Sequence, residues 1–375
     1  MTQSLNNSNT NIVLYRKYRP QSFGEIIGQE HIVKTLQNSI NAGSVSHAYL
    51  FCGPRGSGKT TIARIFAKTI NCQKPLDGEP CNKCDSCVEI TNSKSMDLIE
   101  IDAASHTGVD DIRELISGIK FTPVKSKYKI FIIDECHQLS KSAANALLKT
   151  LEEPPAHAVF ILATTEAHKM IPTITSRCQK FDFKRLQTVE ITKKLEFILK
   201  KEGIKFEPGV LSLISLNARG SFRDGESLLD KCINFTADDK LITVKEVKDL
   251  LGIVEVEQIS KFLDFLLTKN TKEAIIHLNA MVDGGVDMQE FAKTLVFYLR
   301  QCMLLKIHPE LLNIQNSGFS PQEIEKIKEQ TLQCSDRKMQ KILELFIEAE
   351  NKMKYASILQ LPLELAVLDA IGLSE

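Results

Sequence analysis

Residues Gly53-Pro54-Arg55-Gly56-Ser57-Gly58-Lys59-Thr60-Thr61 follow an apolar run, Ala48–Cys52, and precede Ile62–Ile70, where apolar residues recur at 62, 65, 66 and 70. The order predicts strand, glycine loop, helix. Glycines at 53, 56 and 58 let the backbone curl with its N–H groups inward, a cradle for phosphates at the positive end of the following helix. Lys59 is placed to reach β- and γ-phosphates, and the Thr60 hydroxyl can complete a Mg²⁺ shell. A bound nucleoside triphosphate is the expectation around which the rest of the chain is read, with Gly53 to Thr61 as its phosphate contacts.

What acts on that nucleotide is sought downstream. Ile130–Ile133 is an unbroken apolar run ending in Asp134-Glu135. Such a run suits a parallel strand buried on both faces, which delivers its carboxylates at the edge where the phosphate loop also lies. Asp134 can join Thr60 in holding Mg²⁺. Glu135 can polarise the water that attacks the γ-phosphate. Further strands are expected at Met96–Asp102, Ala158–Ala163 and Gln179–Phe183, with a helix from about Gly108 to Ile119 after Ser105. The helix Asn145–Leu151 stops at Glu152-Glu153-Pro154-Pro155 because proline cannot continue the hydrogen-bond ladder. Thr164 and Thr165 end one strand and Arg177 precedes another, where each could meet phosphate or serve an ordinary structural role. His137 draws little weight as a lone histidine.

Between the loop helix and the second strand stand Cys72, Cys81, Cys84 and Cys87. Four thiolates so close suit one tetrahedral Zn²⁺, with all positions taken by protein and hence a structural role. An iron–sulfur cluster is the alternative, but the Cys-Pro partner of ferredoxin runs is missing. The other six of the ten cysteines are scattered singly and read as reduced core residues.

Composition narrows the class. The chain of 375 residues has 43% hydrophobic and 25% charged residues, ample for about two or three domains. Forty-seven basic and 47 acidic residues cancel, so no global field draws the chain to nucleic acid or to a membrane. No secretory leader or membrane span is evident, and a cytoplasmic location is expected. Met1–Asn11 reads as a disordered tail. Leu14–Gln29 is basic and aromatic: Tyr18 and Ile27 could offer apolar surface to a purine and Arg16 or Arg19 hydrogen bonds, or the segment could be a solvated arm. Lys120, Lys125, Lys127 and Lys129 suit a solvated loop better than a DNA contact. From Val189 onward the pattern is helical to the end. The last helix, Pro362–Ile371, carries Leu363, Ala366, Val367, Ala370 and Ile371 in one stripe, widened by Leu365 and Leu368, and is expected to be buried on more than one side, within its own domain or at a subunit interface.

These pieces together resemble a known family. Arg16-Lys17-Tyr18-Arg19-Pro20, the phosphate loop, the four-cysteine insertion and Asp134-Glu135-Cys136-His137 are similar to the clamp-loader branch of the AAA+ ATPases. So are Leu148-Lys149-Thr150-Leu151-Glu152-Glu153-Pro154-Pro155, Ser176-Arg177-Cys178 and Gly220-Ser221-Phe222-Arg223-Asp224. The resemblance implies an α/β P-loop AAA+ domain over 12–187, with a five-stranded parallel sheet of order 5-1-4-3-2 and a zinc module inserted at 72–87. A small helical lid over 188–250 and an all-α collar over 251–375 would follow. It implies Arg177 as a finger reaching a neighbouring subunit's ATP, Thr165 as a first sensor and Arg223 as a second. It also implies a five-membered ring of clamp-loader subunits that places a sliding clamp on primed DNA. The polymerase core and the helicase enter as partners only if a C-terminal extension exists beyond Glu375. The family serves a DNA-directed DNA polymerase, a nucleotidyltransferase, yet the sequence holds no separate set of metal-binding carboxylates for nucleotide addition. The activity expected is therefore ATP hydrolysis. Two alternatives stay open: a nucleotide-independent structural subunit of such a ring, and another AAA+ DNA-processing ATPase such as a branch-migration helicase.

Overall fold

Strand β1 (Ala48–Cys52) lies between β4 (Ala158–Thr164) and β5 (Gln179–Asp182), and β3 (Lys129–Asp134) joins β4 to β2 (Leu98–Asp102). All four pairings are parallel, giving the order β5-β1-β4-β3-β2 expected for the family. The computed structural model describes residues 12–105, 117–119, 121–236, 241–252, 255–307, 319 and 321–372. The tail over 1–11, Lys120, the break at Asp238–Lys240 and most of the helix expected from Gly108 lie outside them.

The apolar runs become central strands because both sheet faces are covered. Tyr49, Phe51, Ile130, Ile132 and Ile161 face the helices Glu30–Asn41 and Lys59–Ile70, while Leu50, Phe131, Ile133, Phe160 and Leu162 face Lys141–Glu152. Each such large side chain removed from water contributes about 1.5–3 kcal/mol. Helix Lys141–Glu152 starts where the Ser140 hydroxyl accepts from the Ala143 amide and ends before the prolines. The register aligns strand ends: Cys52 pairs with Thr164 and Asp102 with Asp134. The phosphate loop, Glu135 and Thr165 therefore all emerge at one carboxyl edge, where α/β sheets bind ligands.

The chain divides into two compact units. One holds the sheet up to Lys205 together with Ile214–Lys231, and the other Phe206–Leu213 together with the chain from Cys232 onward. The stretch 188–250 contributes to both. The second unit is helical, apart from a two-residue strand pair that involves Leu241–Ile242. Its core gathers Phe262, Phe291, Leu295, Phe346 and Val367.

The expected burial of the last helix on more than one side within its own domain is not met. Helix Leu361–Gly372 buries Leu363, Ala366, Val367 and Ala370, but Leu365 and Leu368 are each 53% exposed. A single face meets the core, because the helices packed against it cover only the stripe spaced by three and four residues. Among the described residues no helix is long and apolar enough to cross a membrane.

Candidate nucleotide site and metal centre

The loop after β1 closes on itself before the helix begins. Gly58 stands at φ 95° and Gly56 at φ 72°, the left-handed region where only glycine is at ease. A Cβ on Gly56 would also lie 1.9 Å from the Ser221 hydroxyl, and the Gly56 carbonyl accepts from the Phe222 amide at 3.1 Å. The missing side chain thus lets the helix Phe222–Phe235 come down on the loop. Lys59 is 5% exposed, and its ammonium donates to the carbonyls of Gly53 and Pro54 at 2.8 and 2.9 Å. Burial pulls its pKa below the usual lysine range, opposed by the nearby Glu135 and Asp134.

The Thr60 hydroxyl donates to Asp134 Oδ2 at 2.6 Å, uniting loop and strand residues 74 positions apart. Glu135 sits at φ 48°, and its Oε2 accepts from the amide and hydroxyl of Thr165 at 3.2 and 2.8 Å. His137 backs the same carboxylate: its Nδ1 lies 3.5 Å from Glu135 Oε2 and 3.0 Å from the Thr164 hydroxyl, and its Nε2 lies 3.1 Å from Glu166. Sequence reading passed over this histidine, since nothing local marks a residue two of whose partners, Thr164 and Glu166, come from the end of another strand.

A cavity of about 660 Å³ opens here, lined by Arg55 to Thr61, Asp134 and Glu135. Arg16, Arg19 and Ile27 line its other side, and Arg223 enters from the lid stretch. Gly53 and Pro54 lie behind the loop and turn their carbonyls to Lys59. Thr165 and Arg177 do not line the cavity. Arg177, at the sheet edge before β5, pairs with Glu152 Oε1 at 2.7 Å and donates to the Thr173 carbonyl at 2.7 Å. Tyr18 is a correction: its hydroxyl donates to Glu202 at 2.6 Å and its ring packs edge-on to Phe197, away from the cavity. The helical turn Leu14–Lys17 brings Tyr15 there instead, with the Arg223 guanidinium 5.2 Å from its ring centre.

Sequence reading also missed Lys194 and Glu226 on the cavity wall. Burial pushes the Glu226 carboxyl up to about 7, against the pull of Lys194 and Arg19. Glu226 lies one helical turn beyond Arg223, and that spacing was the available signal.

In the insertion, the sulfurs of Cys72, Cys81, Cys84 and Cys87 all lie within 4.8 Å of one another. Cys72–Cys84 and Cys81–Cys87 are each 4.0 Å apart, near the edge of about 3.8 Å that a tetrahedron with metal–sulfur bonds of about 2.3 Å requires. The amides of Cys81 and Cys84 point at sulfurs, 3.3 and 3.4 Å away. Amides of Lys83 and Cys84 draw the Cys81 thiol down to about 6, toward the thiolate a metal needs. These four residues fit one metal ion. Among the described residues no other set of three or more cysteine, histidine or acidic side chains does so. Cys52, Cys136, Cys232, Cys302 and Cys334 are buried and Cys178 half-buried, as core residues should be.

A parallel sheet with strand order β5-β1-β4-β3-β2, a glycine loop around a buried lysine, a paired threonine and aspartate, and a helical lid stretch define a P-loop protein of the AAA+ class. Residues 28–187 match the family model for the DNA polymerase III delta subunit, and 190–238 that for the ATPase lid domain of the clamp loader subunit. Residues 242–375 match domain III of the gamma and tau subunits. The chain is 42% identical over 355 residues to the DNA polymerase III subunit tau of Bacillus subtilis, covering 95% of this chain and 62% of that one. It is 41% identical over 352 residues to subunit gamma of Buchnera aphidicola subsp. Schizaphis graminum, covering 92% of this chain and 96% of that one. The chain belongs to the DNA polymerase III gamma/tau family. A Thermotoga maritima RuvB branch migration motor shares 19% identity at a TM-score of 0.47, over 72% of this chain and 86% of that one, too loose a likeness to bear on function.

Proposed function

We propose that the chain is an ATP-hydrolysing motor subunit of a bacterial clamp loader, acting in a five-membered ring with other clamp-loader subunits to place a sliding clamp on primed DNA. The observation that carries the reading is the Thr60–Asp134 hydrogen bond at 2.6 Å beside Lys59 and Glu135, on one wall of a cavity of nucleotide size. A nucleotide-independent structural subunit would have no use for that set.

In this reading Arg55 to Thr61 wrap the phosphates of ATP, Gly53 and Pro54 back the loop through Lys59, and Arg16, Arg19 and Ile27 flank the base and ribose. Lys59 reaches the β- and γ-phosphates. Thr60 and Asp134 would hold Mg²⁺, which neutralises charge on the phosphate oxygens. Glu135 orients the attacking water and takes its proton as the new bond to phosphorus forms, and ADP leaves with the electron pair of the broken bond. Thr165, bonded to Glu135, acts as first sensor and Arg223 as second. Arg177 serves the ATP of a neighbouring subunit. The ion fitted by Cys72, Cys81, Cys84 and Cys87 is Zn²⁺, whose single-ion tetrahedron the 4.0 Å sulfur separations suit, and its role is structural, since a closed four-thiolate set leaves no open position for substrate.

The test is steady-state hydrolysis with equilibrium nucleotide binding. Glu135→Gln should lower turnover by about two to four powers of ten with ATP affinity nearly unchanged, the scale of a lost general base. Lys59→Ala should lose binding itself. Turnover near that of the wild type in Glu135→Gln would remove Glu135 from the chemistry.

A further inference from the structure

The residues expected around the base lie on a segment with little structure of its own. Between Arg19 and Ile27 the chain forms only a three-residue turn, Phe23–Glu25, yet Arg19, Gln21, Glu25, Ile26 and Ile27 all line the cavity. Phe23, 2% exposed, anchors it in the core beneath. Two polar clips hold the rest, and both lead into the four-cysteine insertion.

The first clip is Glu79. Its Oε2 accepts from the Phe23 amide at 2.8 Å, and its Oε1 accepts from the Gly24 amide at 2.8 Å and from the Gln37 side chain at 3.0 Å. One carboxylate thus satisfies two consecutive amides of the turn. Glu79 closes a tight turn with Leu76, bonded amide to carbonyl in both directions, between Cys72 and Cys81. Gly78 in that turn stands at φ 74°, and a Cβ there would press within 3.2 Å of Gln37. The turn is therefore shaped to lie against helix Glu30–Asn41.

The second clip is Gln21. Its amide oxygen accepts from Lys68 Nζ at 3.0 Å and the Thr91 hydroxyl at 3.2 Å, and its nitrogen donates to the Arg19 carbonyl at 3.1 Å. Lys68 belongs to the phosphate-loop helix. Thr91 ends the helix Asp85–Thr91, which Cys84 precedes and which carries Cys87, so the sulfur cluster sets its position. Ile90, Thr91 and Ser93 also reach the cavity wall.

We propose that the four-cysteine module is a positioning element for the base and ribose side of the nucleotide site, with Glu79 and Gln21 as the residues that transmit its placement to Arg19–Ile27. The proposal rests on the nucleotide reading above and deepens it. A module serving only global stability has no reason to spend a carboxylate on two amides of the segment that lines the cavity. A positioning module does, because backbone hydrogen bonds fix the path of a chain that forms no helix or strand.

The discriminating experiment compares two ligands in the full chain: a fluorescent methylanthraniloyl-ATP, and inorganic tripolyphosphate as its competitor. Tripolyphosphate presents the loop with phosphates but nothing to the base side. Glu79→Ala should weaken the ATP analogue about tenfold, the scale of charge-assisted hydrogen bonds lost, and leave tripolyphosphate affinity unchanged. Glu79→Gln keeps one acceptor oxygen and should fall between. If Glu79→Ala does not fold, Glu79→Asp, whose shorter side chain cannot reach both amides, should give the same selective loss. Unchanged affinity for the ATP analogue in the folded variants would overturn the proposal. So would an equal loss for both ligands, the mark of general loosening. Wild-type protein that binds tripolyphosphate and the ATP analogue equally well would refute a base side altogether, and wild-type protein that binds neither would refute the nucleotide reading beneath it.

Discussion

Lys59 in the sheet unit and Gln330 in the helical unit are both polar and almost wholly buried, yet they are satisfied in opposite ways. Gln330 is 0% exposed; it donates to the Ser260 carbonyl at 2.8 Å, the Ser260 hydroxyl at 3.1 Å and Asp264 at 2.7 Å, and accepts from Tyr298 at 2.6 Å. Both the nitrogen and the oxygen of that amide are engaged, so the group costs little to bury and ties three helices together. Lys59 donates hydrogen bonds to the neutral carbonyls of its own loop with the Glu135 and Asp134 carboxylates nearby, and with Arg19 and Lys194 it belongs to a set of cavity cations whose pKa values burial lowers. The helical unit spends its buried polarity on itself. The sheet unit holds cationic charge facing a cavity, the condition for binding an anion strongly.

If that contrast is right, variants in the two units should separate chemistry from stability. The largest effect belongs to Arg177, which lies outside its own chain's cavity. Arg177→Ala rings should lose about three to five powers of ten in turnover, the scale of fingers in other nucleotidases, while the variant chain keeps its ATP affinity. Mixing Arg177→Ala chains with Lys59→Ala chains should restore activity wherever an intact finger faces an intact site. Correctly assembled mixed rings no faster than either single variant would sink action in trans.

Gln330→Ala should do the reverse. It removes the Gln330 hydrogen bonds to Tyr298, Ser260 and Asp264 and should destabilise the helical unit by about 2–4 kcal/mol, with ATP affinity unchanged. Denaturant melts followed alongside nucleotide titration check this, and coupled losses would dissolve the distinction between the units.

The smallest effect is at Glu226. Its carboxyl, at about 7 in the folded chain against an ordinary 4.5, holds its proton more tightly folded than unfolded. Its contribution is therefore complete below about 4.5 and lost as pH rises through about 7. Glu226→Gln, which never ionises, should match the wild type near pH 4 and exceed it at pH 8 by about 1–3 kcal/mol. Thermal melts of nucleotide-free protein at the two pH values decide it, and a variant less stable at pH 8 would place the ionised carboxylate in a stabilising pair with Lys194 and Arg19.

Local chemistry was legible in the sequence. A phosphate loop, a strand ending in two acids and four closely spaced cysteines each declare themselves within a few consecutive residues, because cradle, strand edge and sulfur knuckle are short-range geometries. The sheet order followed from family resemblance, and β3 and β4 from unbroken apolar runs. The choice of Tyr15 over Tyr18 was not legible, since one turn of helix decides which ring faces the cavity. Nor were the Glu135–Thr165 bond, the pairing of Arg177 with Glu152, the exposed Leu365 and Leu368, or the clips from Glu79 and Gln21. Glu79 meets Phe23 across 56 positions and Gln21 meets Thr91 across 70. Contacts over such separations leave no periodicity in a sequence; they exist only once the sheet and its helices have brought the segments together.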